Sequence, residues 1–257
     1  MDNFKRIKSY EAFCEEVKST NRHFLSEKAL DFLEWLYKIA LEDHNQALKK
    51  ESTNVYRARV GAEYPECLKS HDSGDGKEIE WVEPNGYIYP RSYSSDYFPI
   101  SGRLGSGGRA NPEGIAFLYV ASTPEIAISE VRPFINHDVS VALMRLKRDL
   151  KIADFSMVSD DINFSYAKYS KEIADKLSQF KVIDSVIRDV SNAFSRPVFE
   201  QSKTIEYLPT QVIAEYFHSK GFDGIGFRSQ FETAHYKKDR DELSGEISVQ
   251  KKVAIIL

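Results

Sequence analysis

Residues 108–133 read GRANPEGIAFLYVASTPEIAISEVRP, and the reading of the fold is built outward from them. Arg109 follows a glycine in a stretch with loop composition. The apolar run 115–121 has the length expected of a buried strand. Ser122-Thr123-Pro124-Glu125 then opens a helix. Thr123 can accept from free backbone N–H groups, Pro124 suits the first helical position, and Glu125 favours the positive end of the helix dipole. Spacing of three to four residues places Ile126, Ala127 and Val131 on one face, with Glu130 at its edge. A carboxylate at the edge of a packing face needs a partner or a ligand. Two readings stand at this point: an ordinary ion pair with Arg132 or another nearby arginine, or a functional carboxylate.

Toward the N-terminus, NVYRARV (Asn54–Val60) shows strand alternation, with Tyr56, Ala58 and Val60 on one side and Arg57 and Arg59 on the other. Paired guanidinium forks match phosphate oxygens, so this strand offers either an anion clamp or a solvated outer face. The first fifty residues read as helical. Ser26 can cap a helix whose stripe is Leu30, Leu33, Leu36, Tyr37, Ala40 and Leu41, broadened by Phe32 and Trp35. A shorter helix precedes it, and His23 and His44 read as surface residues. Between residues 67 and 112 periodicity is lost. The stretch is rich in Gly, Ser, Pro and Asp and carries Trp81, Tyr87, Tyr89, Tyr93, Tyr97 and Phe98, as lids and binding loops do.

Toward the C-terminus, residues 139–146 and 151–155 read as strands, and 162–194 as a charged helical region of two helices ending before Arg196-Pro197. Thr210 is expected to cap an amphipathic helix with Val212, Ile213, Tyr216 and Phe217 inside, stopped at Gly221. GFDGIGFRSQ turns through Asp223-Gly224 into a short strand, and VAIIL supplies a last one. Short strands without regular βα alternation indicate an α+β domain with mostly antiparallel sheets and flanking helices.

Composition narrows the function classes. With 42% hydrophobic residues the chain can build a core. A formal net charge of −4 disfavours direct nucleic-acid binding, which needs a basic surface. Cys14 and Cys67 have neither metal-like spacing nor the look of a disulfide framework. MDNFKRIKSYEAF lacks the apolar core of a signal peptide and no run reaches the length of a membrane span, so the expectation is a cytoplasmic protein without membrane contact. HExxH, CxxC and GxSxG are all absent, which removes the familiar metal and α/β-hydrolase signatures, and no metal is expected.

Four segments in order, YRAR (56–59), GRANPEGIAFLYVA (108–121), ISEVRP (128–133) and YLPTQVIAEYFHSKGFDGIGFRS (207–229), together resemble the RES-domain family over residues 54–229. The resemblance implies a domain at 51–257 behind an N-terminal helical extension at 1–50. It implies an ADP-ribosyltransferase-like core of two small, mostly antiparallel sheets. It also implies the toxin of a RES–Xre toxin–antitoxin pair, which degrades NAD+ at the nicotinamide–ribose bond by hydrolysis or phosphorolysis. NAD+ is then the substrate and no cofactor is needed. The implied partner is an Xre-like antitoxin, and homo-oligomerisation is left open. Alternatives are an ADP-ribosyltransferase acting on a host protein and a non-catalytic nucleotide-binding module.

Carried over residue by residue, the family's arginine, glutamate and serine fall on Arg57, Glu130 and Ser229, its tyrosine on Tyr119 and its glycine-preceded arginine on Arg109. Ala110 departs from relatives, which often have an aromatic there. The chemistry fits these types. Breaking an N-glycosidic bond develops positive charge on the ribose, which a fixed carboxylate such as Glu130 can stabilise. Nicotinamide leaves neutral, so no general acid is required. Arg57 with Arg109 would hold the pyrophosphate, Tyr119 would stack on the nicotinamide, and Ser229 would orient substrate or attacking group.

Overall fold

The computed structural model describes residues 9–62, 68–72, 77–81, 92, 107–156, 171–196, 198, 202–230 and 253–256. The aromatic stretch from Tyr87 to Phe98 and the expected helical residues 162–170 lie outside them. The elements in order are α1 (Ser9–Ser19), α2 (Glu27–Glu42), β1 (Asn45–Leu48), β2 (Asn54–Val60), β3 (Leu68–Asp72), β4 (Lys77–Trp81), β5 (Tyr119–Ala121), α3 (Pro124–Val131), β6 (Val139–Arg145), β7 (Leu150–Asp154), α4 (Lys171–Ser195), α5 (Lys203–Glu206), α6 (Leu208–Ser219), β8 (Gly224–Arg228) and β9 (Val253–Ile256).

The fold is α+β, as the scattered short strands imply. Seven strands form one sheet in the order β1-β7-β8-β9-β5-β2-β6, and β3 and β4 pair as a separate two-stranded sheet. Every pairing is antiparallel except β7 with β8. The strand from the VAIIL tail, β9, sits between β8 and β5.

Side-chain alternation splits the sheet between two apolar layers. Val55, Val120 and Ile152 join Leu48 and Leu146 in one cluster. Ala153, Ile225 and Phe227 meet α1, α2, α4 and α6 in the largest cluster, which also takes Phe155 and Phe194. A third, small cluster of Ala58, Ala121, Ile126 and Ala127 seats α3 on β2 and β5. Small residues there let the helix approach the sheet closely.

Several local expectations change. The apolar run 115–121 becomes a strand only at Tyr119–Ala121, and Ile115 is 44% exposed. Gly114 turns the chain with φ +89, and the Asn111 side-chain amide takes the Ile115 carbonyl at 2.9 Å, so the run begins as a loop. In β2 the alternation holds, with Tyr56 and Ala58 packing in one cluster and Val55 in another, so both faces of the strand are covered and neither is a purely solvated outer face. The first fifty residues are not helical throughout: β1 pairs with β7 from Asn45 with Ala153 to Leu48 with Leu150. His44 extends this pairing rather than lying free on the surface. Its carbonyl accepts from Asp154 N at 2.8 Å, and its Nδ1 lies 2.9 Å from the Asp154 carbonyl. Residues 171–195 form one continuous helix that ends, as expected, before Arg196-Pro197.

Ser26 caps α2 as expected, accepting from Ala29 N. Phe32 of that helix is fully buried, stacked on Phe13 at 4.9 Å and flanked by Tyr10 and Trp35. Phe32→Ala should therefore destabilise the whole domain by about 3–5 kcal/mol. A lowered midpoint in denaturant unfolding with a single transition checks this; an unchanged midpoint would mean that α2 folds apart from the sheet.

Candidate functional site

The site is assembled from a turn, a short helix and two strand ends. The turn is residues 108–111. Gly108 N donates to the Asn111 carbonyl at 2.8 Å, closing it. Only glycine fits at 108, because a Cβ would collide with Asn111 Oδ1 and lie 2.9 Å from Tyr119 Oη. Tyr119, at the start of β5, stitches the same turn: its hydroxyl accepts from Ala110 N at 2.9 Å and donates to Asn111 Oδ1 at 2.8 Å. Burial raises its phenolic pKa above the ordinary value, so it remains a neutral donor. Ala110 is fully buried in the main core, which leaves no room for an aromatic there without repacking.

Helix α3 delivers Glu130. Its start follows the expected chemistry, with Thr123 Oγ1 accepting from Ile126 N and Pro124 in the first turn. It ends at Val131 because Arg132 adopts the left-handed conformation (φ 48) ahead of Pro133, which cannot continue a helix. Glu130 is thus its penultimate residue, and each carboxylate oxygen has a donor. Ser229 Oγ donates to Oε1 at 2.7 Å, and Arg109 Nη1 donates to Oε2 at 3.2 Å. The side chains of Arg109 and Glu130 are 15% and 19% exposed, so the pair is shielded but not sealed. Glu130 is paired with a nearby arginine, and that arginine is Arg109 rather than Arg132.

Arg109 is itself anchored. The same Nη1 lies 3.3 Å from the Phe194 carbonyl in the last turn of α4, where helix carbonyls lack intrahelical partners and the dipole favours a cation. Ser229, 3% exposed, directly follows β8, whose end is fixed by Arg228 N donating to Ser191 Oγ at 3.1 Å.

Arg57 has a different electrostatic situation. It shares with Tyr56, Arg109, Tyr119, Glu130 and Phe227 the lining of a cavity of about 260 Å³. Its Nη1 is buried and, among the described residues, has no hydrogen-bond partner. Burial, and then the neighbouring charge of Arg59, lower its pKa from the usual arginine value. Among the described residues the buried Nη1 is left without an acceptor, which is costly unless an anion supplies one. A second cavity, about 20 Å³ beneath Phe117, His218 and Phe222, holds no more than about one water.

The structure therefore brings Arg57, Arg109, Tyr119 and Glu130 into the lining of one cavity, with Ser229 bonded to Glu130. Among the described residues no cluster of His, Cys, Asp and Glu is placed to hold a metal, and no helix is long and apolar enough to cross a membrane.

A family model, the RES domain, matches residues 88–237, more than half of the chain. The chain belongs to the RES-domain family. Membership sets it in the context of toxin–antitoxin pairs. Arg109, Tyr119, Glu130 and Ser229 lie within the matched RES segment, whereas Arg57 on β2 precedes it. No curated protein and no solved structure matches the chain.

Sequence reasoning missed residues that hold this candidate site together. Thr210 does not cap α6: the helix starts at Leu208, its N-cap position is Tyr207, and no side-chain cap forms. Thr210 Oγ1 instead donates to the Arg109 carbonyl, and Gln211 Nε2 donates to the Gly108 carbonyl at 2.8 Å. The signal was an uncharged polar pair entering an amphipathic helix, yet nothing local named its partners one hundred residues away. The double role of the Tyr119 hydroxyl gives a test. Tyr119→Phe strands the buried Ala110 N–H and should cost about 1–3 kcal/mol, read as a lowered thermal midpoint. A midpoint equal to that of the parent would show that the turn does not depend on this hydroxyl.

Proposed function

We propose that the cavity binds NAD+ and cleaves its nicotinamide–ribose bond. The single observation that carries this reading is one cavity lined both by Arg57, whose buried Nη1 has no partner among the described residues, and by Glu130, a carboxylate held at both oxygens. A dinucleotide substrate needs both: a cation for its pyrophosphate and an anion for the charge that appears on the ribose. RES-domain membership supports the choice of NAD+, because the family is associated with NAD+ chemistry.

In this mechanism Arg57 accepts the pyrophosphate as a charge-assisted, forked partner. The bond between ribose C1′ and the nicotinamide nitrogen breaks with both electrons going to the nitrogen, so nicotinamide leaves neutral. The cationic ribose is stabilised by Glu130. Water then adds at C1′ and loses a proton to solvent, giving ADP-ribose; inorganic phosphate in its place gives the phosphate ester. Tyr119, its hydroxyl occupied by the turn, offers its ring face to the cavity for the nicotinamide. Growth arrest through NAD+ loss and an Xre-like protein antitoxin complete the reading. Transfer of ADP-ribose to a protein would use the same first step with a different acceptor.

Incubation with NAD+, with and without phosphate, followed by chromatography of nicotinamide, ADP-ribose and its phosphate ester, tests the reaction. Nicotinamide release is expected. Glu130→Gln keeps the shape and one acceptor oxygen for Arg109, turns the other position into a donor that can meet the Ser229 hydroxyl oxygen, and removes the charge, and should lower kcat by about 10²–10³-fold. Arg57→Met should instead raise KM, by roughly 10–100-fold for the loss of a charge-assisted bond worth about 1.5–3 kcal/mol. Unchanged NAD+ in the presence of folded parent protein would overturn the proposal. Co-expression with a cognate Xre-like protein is expected to give a co-purifying complex in which NAD+ loss is suppressed.

A further inference from the structure

The first turn of α6 enters the site without touching the cavity. Thr210 is 2% exposed and Gln211 8% exposed, on a helix whose other inner residues are apolar. A buried amide at such a position gives up the apolar burial that a leucine or methionine would contribute. Its two N–H bonds go to two carbonyls of one turn, Gly108 O at 2.8 Å and Asn111 O at 3.2 Å. Thr210 Oγ1 takes the Arg109 carbonyl between them and also lies 2.9 Å from the Tyr207 carbonyl. Three carbonyls of a four-residue turn are thus held from adjacent positions of one helix. The residue they bracket is Arg109, whose guanidinium reaches Glu130 Oε2.

We propose that Thr210 and Gln211 are positioning residues for the reaction: they fix the backbone of Arg109, and through its side chain they set the orientation of the Glu130 carboxylate. In this arrangement Arg109 serves the carboxylate rather than the pyrophosphate. Its charge is matched by Glu130, while among the described residues Arg57 has no carboxylate partner and is left to meet the anion. The inference rests on reading Glu130 as the group that faces the developing ribose cation.

The two roles separate kinetically. A loosened turn lets Glu130 swing and costs transition-state stabilisation, whereas NAD+ binding through Arg57 is untouched. Thr210→Val and Gln211→Met keep size and remove the donors. Each is expected to lower kcat for nicotinamide release by about 10–100-fold, the scale of a misplacement near 1 Å, with KM held within about threefold. Thr210→Ser retains the hydroxyl and should restore the parental kcat. In crystal structures of the two variants the Arg109–Glu130 distance should exceed about 4 Å, the limit of an ion pair. If both variants fail to fold, Gln211→Asn, which keeps the amide one methylene short, takes their place in both measurements. Parental kcat in a folded variant, an equal loss in kcat and KM, or an intact Arg109–Glu130 pair in the crystals overturns the inference. If the parent protein releases no nicotinamide, the proposed function falls, and the crystal structures alone decide: a separated pair upholds the positioning role and an intact pair refutes it.

Discussion

A carboxylate withdrawn from water must have its oxygens matched, and Glu130 is the point at which this requirement ties the chain together. One oxygen is held by Ser229 beyond β8, the other by Arg109 in the turn before β5, and Arg109 leans on the end of α4. These donors come from segments roughly a hundred residues apart. The helix that carries Glu130, α3, packs on β2 and β5 through a cluster in which Ala58, Ala121 and Ala127 lie beside Ile126.

The two arginines near this carboxylate have opposite electrostatic fates. Arg109 is neutralised by its partner and behaves as part of the framework. Arg57 keeps a buried, unpartnered nitrogen beside Arg59, so the same cavity contains a matched charge and an unmatched one. In a partly dehydrated site the unmatched charge acts at greater strength than in water, and it is the feature that distinguishes a ligand-ready wall from an ordinary buried ion pair. Tyr119 shows the same division of labour. Its hydroxyl is consumed by the turn, and its ring is what remains for the cavity.

The legibility of these features from sequence follows the range of the forces involved. The start of helix α3 was readable to the residue, because a cap and a proline in the first turn act within a few positions. The neighbouring run 115–121 was overread as strand. Hydropathy cannot report that Asn111 captures the Ile115 carbonyl and keeps the start of the run in a loop. Alternation in β2 was legible, and Val55 and Ala58 fall in the different clusters that cover its two faces. The resemblance to the RES-domain family, carried by four ordered motifs, named Arg109, Tyr119, Glu130 and Ser229 within the segment that the family model matches.

By itself the sequence determined the α+β class, the starts of α2 and α3, the stop of α4, and the residue types around the site, because propensity, capping and apolar spacing are local. Only the tertiary structure decided that Glu130 pairs with Arg109 rather than Arg132, that Ser229 bonds to the carboxylate, and that Thr210 holds a carbonyl instead of capping a helix. Partner choice among buried polar groups depends on which donors and acceptors the packed sheet and helices bring within about 3 Å, a distance that sequence separation does not encode.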